Sequence, residues 1–185
     1  MKMEAFSATR LVGGTSLALQ LGHRKSIDLD FFGKINFAEL NRNETFNQFR
    51  EVVTIKLSAN INVLLINGIK VDFVNYSYPW LEPALSNSGI RLAGLKDIAA
   101  MKLAAVTGRG SKKDFIDIYF LLKKFTLNDL LGFYKEKYTD GSEYMVLKSL
   151  TYFEDAENDP MPEMIEDVNW ENVKEFIILT VKELV

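Results

Sequence analysis

Along the first half of the chain apolar positions alternate with polar ones, and along the second half they recur at helical spacing. Phe6 to Val12 predicts a strand that runs into Gly13-Gly14, and Thr15 to Leu21 predicts a short apolar helix. After a basic turn, Ile27, Leu29 and Phe31 alternate with Asp28 and Asp30, a second strand with both carboxylates on one face. Phe37, Leu40, Phe46 and Phe49 form an irregular stripe that predicts a helix over Phe37 to Arg50. VVTIKLS, INVLLI and IKVDFVNY then read as three strands, the last two joined at Asn67-Gly68 by a type I′ turn. Tyr76 to Ala93, with Pro79 and Pro83, reads as a connector.

Beyond the connector the period is helical. Leu95, Ile98, Ala99, Ala105 and Val106 make one stripe, with Lys102 in its middle. Arg109 would extend that stripe, but Gly108 and Gly110 break the helix nearby. On the next helix Asp114 and Asp117 share a face with Ile118, Leu121 and Phe125. LNDLLGFYKEKY and GSEYMVLKSLTYF predict two more helices, EDAENDPMPEMIEDVNW an acidic loop interrupted by Pro160 and Pro162, and Trp170 to Val185 a terminal amphipathic helix. The fold class expected is therefore α/β (α+β). A mixed, twisted sheet lobe spans residues 1–90, and a C-terminal helical lobe spans residues 91–185.

The 185 residues contain no cysteine, which excludes disulfides and thiolate-bound zinc. No apolar run reaches membrane-spanning length and the first residues lack a signal-peptide core, so a cytoplasmic protein without membrane partners is expected. The net charge of −3 argues against a broadly basic nucleic-acid binder, but its distribution is uneven. Residues 91–137 hold 10 Lys/Arg against 5 Asp/Glu, whereas residues 138–185 hold 3 against 12. A basic middle segment can meet a polyanion; solvated helix faces would give the same count.

The candidate chemistry lies in LVGGTSLALQLGHRKSIDLDFF, residues 11–32. Two carboxylates on one strand face raise each other's pKa unless a cation sits between them, and Mg²⁺ held by carboxylates and substrate phosphates is the common solution. Gly13 and Gly14 let the backbone turn tightly and approach a phosphate at the amino end of the following helix. An anion loop beside an acidic strand is a phosphoryl-transfer layout. An ordinary β-α-β corner with an exposed acidic strand is the alternative. His23, the single histidine, sits in a polar turn and reads as a surface residue. Asp72 lies between Val71 and Phe73, and an acid in an apolar strand needs a partner or a metal, unless it is a charge guarding a sheet edge.

A Gly-Gly strand end, a short helix and an Asp-x-Asp strand resemble the DNA polymerase β-like nucleotidyltransferase superfamily. The fuller forms GGTSLAL and HRKSIDLDFF, with GLKDIAAMKLAAVTGRGSKKDFIDIYF downstream, resemble the AbiEii-type nucleotidyltransferase toxins of toxin–antitoxin and phage-defence systems. The resemblance covers residues 11–125 and implies a longer segment ahead of the Gly-Gly strand than the ten residues here.

The resemblance also implies a site. Asp28, Asp30 and Asp72 would hold two Mg²⁺ ions, with Asp72 assisting the acceptor hydroxyl. Gly13, Gly14, Thr15, Arg24, Ser26, Lys102, Arg109 and Lys113 would contact nucleotide. Arg24 and Ser26 could equally hold the loop. Lys113 stands where the family usually has arginine, and lysine lacks the bidentate fork. For Asp114 and Asp117 the expectation is structural, an ion-pair network pinning the helices to the sheet. For Lys102, equally a catalytic residue on this reading, it is a phosphate contact in the cleft. The implied activity is Mg²⁺-dependent transfer of a nucleoside monophosphate from an NTP to an RNA such as tRNA, neutralised by a cognate antitoxin. The rivals are a transferase acting on a small molecule or protein, a catalytically silent binding module and, more remotely, a phosphotransferase.

Overall fold

The computed structural model describes residues 8–37 and 46–184. The alternating segments build one mixed sheet of seven strands: β1 (Thr9–Val12), β2 (Leu29–Gly33), β3 (Val52–Leu57), β4 (Ile61–Ile66), β5 (Ile69–Asn75), β6 (Leu85–Asn87) and β7 (Ile90–Leu92). Their order across the sheet is β3-β4-β5-β2-β1-β7-β6. β2 lies antiparallel to β1 and parallel to β5, and β1 is parallel to β7.

The two-residue period sorts the side chains of the central strands. Leu29 and Phe31 of β2, with Val71 and Phe73 of β5, face one side, where they pack with Ile35, Leu64 and Ile66. Asp30 and Phe32, and Asp72 across from Asp30, take the opposite side. The helices cover that second side. They are α1 (Gly13–Leu21), α2 (Leu95–Gly108), α3 (Lys112–Leu122), α4 (Leu127–Lys137), α5 (Glu143–Leu150), the single turn α6 (Glu154–Glu157) and α7 (Trp170–Lys182). Val12, Leu17 and Ala93 pack in one core with Leu103, Phe115, Leu121 and Ile177, so the apolar interior runs unbroken across residue 90. No helix of the described residues is long and apolar enough to cross a membrane.

Local chemistry sets the element ends. Gly22 closes α1 in the left-handed region, at φ 69°, and returns its N–H to the Ala18 carbonyl. Thr126 and Asp129 form a reciprocal capping box on α4. Asn67 and Gly68, at φ 48° and 81°, make the tight turn between β4 and β5 as expected from their sequence.

Three expectations need correction or fall elsewhere. The connector at residues 76–93 contains a hairpin, β6–β7, whose second strand extends the sheet beside β1. Its turn, Ser88-Gly89, has the same positive φ pair as Asn67-Gly68, but flanking strands of three residues are too short for a clear alternation. Second, the helix expected over Phe37 to Arg50 falls largely outside the described residues, and residues 47–50 are turn and bend. Third, the acidic segment folds back onto the basic turn: Lys25 N–H donates to the Glu163 carbonyl at 2.8 Å, Ile165 N–H to the His23 carbonyl at 2.9 Å, and Lys25 pairs with Glu163.

A buried ion pair fastens the connector to the helices. Asp97 of α2 accepts the backbone N–H groups of Leu81 and Glu82 and, at 2.7 Å, the Lys137 ammonium. Lys137 Nζ also donates to the Pro79 carbonyl at 2.6 Å and lies over the Trp80 ring. Both side chains are fully buried, so removing one charge strands the other. Lys137→Met is expected to cost about 3–5 kcal/mol, measured by urea denaturation; a loss under 1 kcal/mol would show that the pair is not what anchors the connector.

Candidate active site

Sheet register brings the carboxylates together. Asp30 of β2 is the direct neighbour of Asp72 on parallel β5, and Val12, at the end of β1, is the neighbour of Asp30 on the other side. The chain then turns at Gly13, at φ 66°, where a Cβ would collide with the Asp30 carboxylate. Gly13 is therefore needed twice, for its backbone and for the close approach of an acid. Burial and the neighbouring Asp72 raise the Asp30 pKa, with Asp28 adding to the rise and Lys70 and Lys102 opposing it. Lys70 Nζ sits 2.6 and 2.7 Å from the two oxygens of Asp72. Lys70 went unnoticed in the sequence. Its signal was present, because residues two apart on a strand share a face.

Asp30, Asp72 and Gly13 line a cleft of about 440 Å³ between the sheet and α2, with Phe32, Met101, Lys102, Arg109 and Tyr138. Asp28 is not in that lining. It precedes β2, which begins at Leu29, and its carbonyl accepts the Thr15 hydroxyl, tying this stretch to α1. Of the three expected carboxylates, Asp30 and Asp72 line the cleft, and Asp28 lies near enough to Asp30 to add to its pKa rise. Among the described residues no three His, Asp or Glu side chains are grouped to hold an ion. The pair itself fits a divalent cation, since a positive charge between Asp30 and Asp72 relieves the repulsion that raises the Asp30 pKa.

Opposite the sheet, the second motif forms a closed ionic network. Arg24 presents its fork to Asp117, Nε to Oδ1 at 2.7 Å and Nη2 to Oδ2 at 2.9 Å. His23 Nε2 lies 2.8 Å from Asp117 Oδ1; the carboxylate can only accept, so this nitrogen donates. Lys102 bridges Asp114 at 2.8 Å and Asp117 at 2.6 Å. Asp114 also accepts Ser111 Oγ and two nitrogens of Arg109. Burial opposes ionisation of both acids, but the cations outweigh it and hold both pKa values well below the usual carboxylate range. Burial likewise disfavours the Lys102 ammonium, and Asp117 and Asp114 overcome it to raise its pKa.

Asp114 and Asp117 thus sit in a buried ion-pair network that joins α3 to α2 and to the turn after α1. Lys102, expected at a phosphate in the cleft, lines the cleft with its ammonium bound by two carboxylates and its side chain 4% exposed. Arg24 also holds structure, and Gly14 is part of the reason. A Cβ on Gly14 would overlap the Arg24 guanidinium, so this glycine makes room for an arginine. Thr15 Oγ1, its proton given to the Asp28 carbonyl, accepts the Ser26 hydroxyl at 2.9 Å, closing the same loop. Lys113 is exposed on α3 and absent from the cleft lining; one position from Asp114, it falls off the inward face. Arg109 is the cation the cleft keeps, its side chain 62% exposed at the rim. His23, expected at the surface, is fully buried, because the returning acidic segment and Phe120 cover it.

The Gly-Gly turn, the paired acids in register and the helical wall sit on the fold of solved nucleotidyltransferase structures. Two solved structures share the architecture. MenT4, the nucleotidyltransferase toxin Rv2826c of Mycobacterium tuberculosis H37Rv, superposes with a TM-score of 0.64 at 16% identity over 100% of this chain and 79% of its own. ANT(2″)-Ia, solved in complex with adenylyl-2″-tobramycin, gives 0.56 at 11% identity over 72% and 88%.

The chain belongs to the AbiEii nucleotidyltransferase toxin family: the family described as "Nucleotidyl transferase AbiEii toxin, Type IV TA system" matches residues 3–183. It is also 40% identical over 181 residues to the uncharacterized protein aq_aa25 of Aquifex aeolicus (strain VF5), covering 94% of this chain and 86% of that one. The protein is thus an enzyme of the nucleotidyltransferase class, and the family implies an NTP substrate.

Two measurements check the network. Lys102→Ala should cost about 3–5 kcal/mol of stability, read from urea melts, because two buried carboxylates lose a shared partner; an unchanged midpoint would return Lys102 to the nucleotide. The stability contributed by Asp114 and Asp117 is complete above the unfolded carboxylate pKa, about 3.9, and is lost as pH falls toward their depressed folded values. Melting temperature should therefore drop steeply below about pH 4, and the double variant Asp114→Asn/Asp117→Asn should flatten that limb.

Proposed function

We infer that this protein transfers a nucleoside monophosphate from an NTP to a hydroxyl of an RNA acceptor such as tRNA, as the toxin of a toxin–antitoxin pair with a role in phage defence. The observation that carries this reading is the Asp30–Asp72 pair in register at the foot of a cleft rimmed by Arg109. Asp30 and Asp72 would hold the divalent metal, Mg²⁺ by the chemistry of the donors, with Asp28 contributing charge from just ahead of the strand. When bound, such an ion neutralises charge on the reacting phosphate and its leaving group.

The remaining work falls to the chain itself. Arg109 offers a charge-assisted donor to a phosphate at the rim, its orientation fixed by Asp114. Three cations, Arg24, Lys102 and Arg109, against Asp114 and Asp117 leave the helical wall one positive charge in surplus. Asp72, its side chain 20% exposed beside Lys70, would accept the proton of an acceptor hydroxyl. Transfer of this kind depends on positioning and charge neutralisation more than on a strong base.

RNA is favoured as acceptor by the exposed cations of residues 91–137, Arg109, Lys113, Lys123, Lys124 and Lys135. A small-molecule acceptor is the second reading, supported by the shared fold of ANT(2″)-Ia with its adenylylated tobramycin. Incubation with α-labelled NTPs, total tRNA and an aminoglycoside separates them: label should enter RNA. Label in the small molecule alone would favour the second reading.

Asp30→Asn and Asp72→Asn should each abolish labelling. Because the folded Asp30 pKa is raised, its ionised form costs stability at neutral pH, so Asp30→Asn should hold or raise the melting temperature while activity disappears. A fall in melting temperature matching the lost activity would make Asp30 structural.

A further inference from the structure

Lys70 sits where a metal ligand is expected to be open. Its ammonium spans both oxygens of Asp72, at 2.6 and 2.7 Å, so that carboxylate is fully engaged. The two residues share a face of β5 because they are two apart on one strand. Three cations act on or near the carboxylate pair, and they differ in freedom. Lys102 is enclosed by Asp114 and Asp117 and 4% exposed. The guanidinium of Arg109 is held at two nitrogens by Asp114. Among the described residues Lys70 has a single carboxylate partner; with a four-carbon stem and a side chain 43% exposed, it is the one of these three cations that can leave its acid without stranding a buried charge.

We propose that Lys70 is a transferable counter-ion: it neutralises Asp72 when the site is empty, yields that carboxylate to the incoming metal, and passes its ammonium to the triphosphate. This inference rests on the nucleotidyltransferase reading of the same cleft and adds a positioning residue to it. The physical reason is charge balance. Without a cation, Asp30 and Asp72 stand side by side in register with Asp28 close enough to add to their repulsion. With a divalent ion seated on the pair, Lys70 at the same carboxylate would be a like charge within a few ångströms of it. An NTP arriving with the metal brings the anion that takes Lys70 up. Metal and nucleotide then favour each other through one side chain, a coupling that must be equal in both directions.

The test is a binding cycle read by electron paramagnetic resonance of free Mn²⁺ and by calorimetry with a non-hydrolysable NTP analogue, on the full chain. Lys70→Met should tighten Mn²⁺ binding to the nucleotide-free protein by roughly tenfold, since one nearby positive charge is removed. The same variant should weaken the analogue in the presence of Mn²⁺ by roughly tenfold, and the coupling between the two ligands should fall. Lys70→Arg, which keeps the charge, should restore nucleotide affinity and the weaker Mn²⁺ binding. Asp30→Asn serves as the site control and should remove Mn²⁺ binding. If that control behaves and Lys70→Met leaves both affinities unchanged, Lys70 is a surface pair and the inference fails while the site stands. Weaker Mn²⁺ binding in Lys70→Met would also overturn it, because Lys70 would then support the ligand rather than compete for it. If the wild-type protein binds neither Mn²⁺ nor the analogue, the reading of the cleft fails, and the role of Lys70 with it.

Discussion

Asp114 and Asp117 are two fully buried carboxylates on one helix face, and the helical wall of the cleft is arranged around the need to pay their charge. Arg24 arrives from the turn after α1, Lys102 from α2, and Arg109 from the end of α2. Each acid is held by at least two cationic or hydroxyl partners, which is the condition under which a buried ion can remain charged. The same bonds tie the turn after α1 to α2 and α3 far along the chain, so the network fixes the spacing between the Gly-Gly turn and the helices. A hydrophobic replacement of similar shape could be as stable. It would not orient Arg109 at the cleft rim.

The sheet face presents the opposite electrostatic case. Asp30 and Asp72 are neighbours by strand register, with one lysine on the outer acid, and burial raises the Asp30 pKa. A surplus of negative charge on the sheet therefore faces a surplus of positive charge on the helices, across a cleft wide enough for a ligand. On the proposed reading, a polyphosphate with a divalent ion would complement both walls, the ion at the acids and a phosphate at Arg109 on the rim.

The glycines of the turn show how closely these parts are fitted. Gly13 admits the Asp30 carboxylate and Gly14 admits the Arg24 guanidinium, so adjacent positions receive the acid of one wall and the cation of the other. The acidic segment after α6 completes the enclosure by pairing its backbone with residues 23–25. Part of its negative charge thus lies at the protein's own basic turn, where Glu163 pairs with Lys25.

Local pattern was enough for much of this. The alternation of Asp28 to Phe32 and Val71 to Val74, the Asn67-Gly68 turn, and the helical stripes of residues 95–106 and 114–125 are properties of neighbours in sequence. They determined the strands, the two main helices, the family and the inward face of Asp114 and Asp117. What they could not contain was partner choice. Lys102 lies on an inward stripe whether it meets a phosphate or two aspartates, and only the packing of α3 against α2 brings Asp114 and Asp117 to its ammonium. His23 is polar in a polar turn, and only the return of residues 163–166 buries it. Asp28 and Asp30 have the same spacing as any strand pair, yet β2 begins between them, so one acid lines the cleft and the other stands before it. Sequence period assigns a side chain to a face; which charge waits across that face is set by segments tens of residues away, and only the folded chain brings them there.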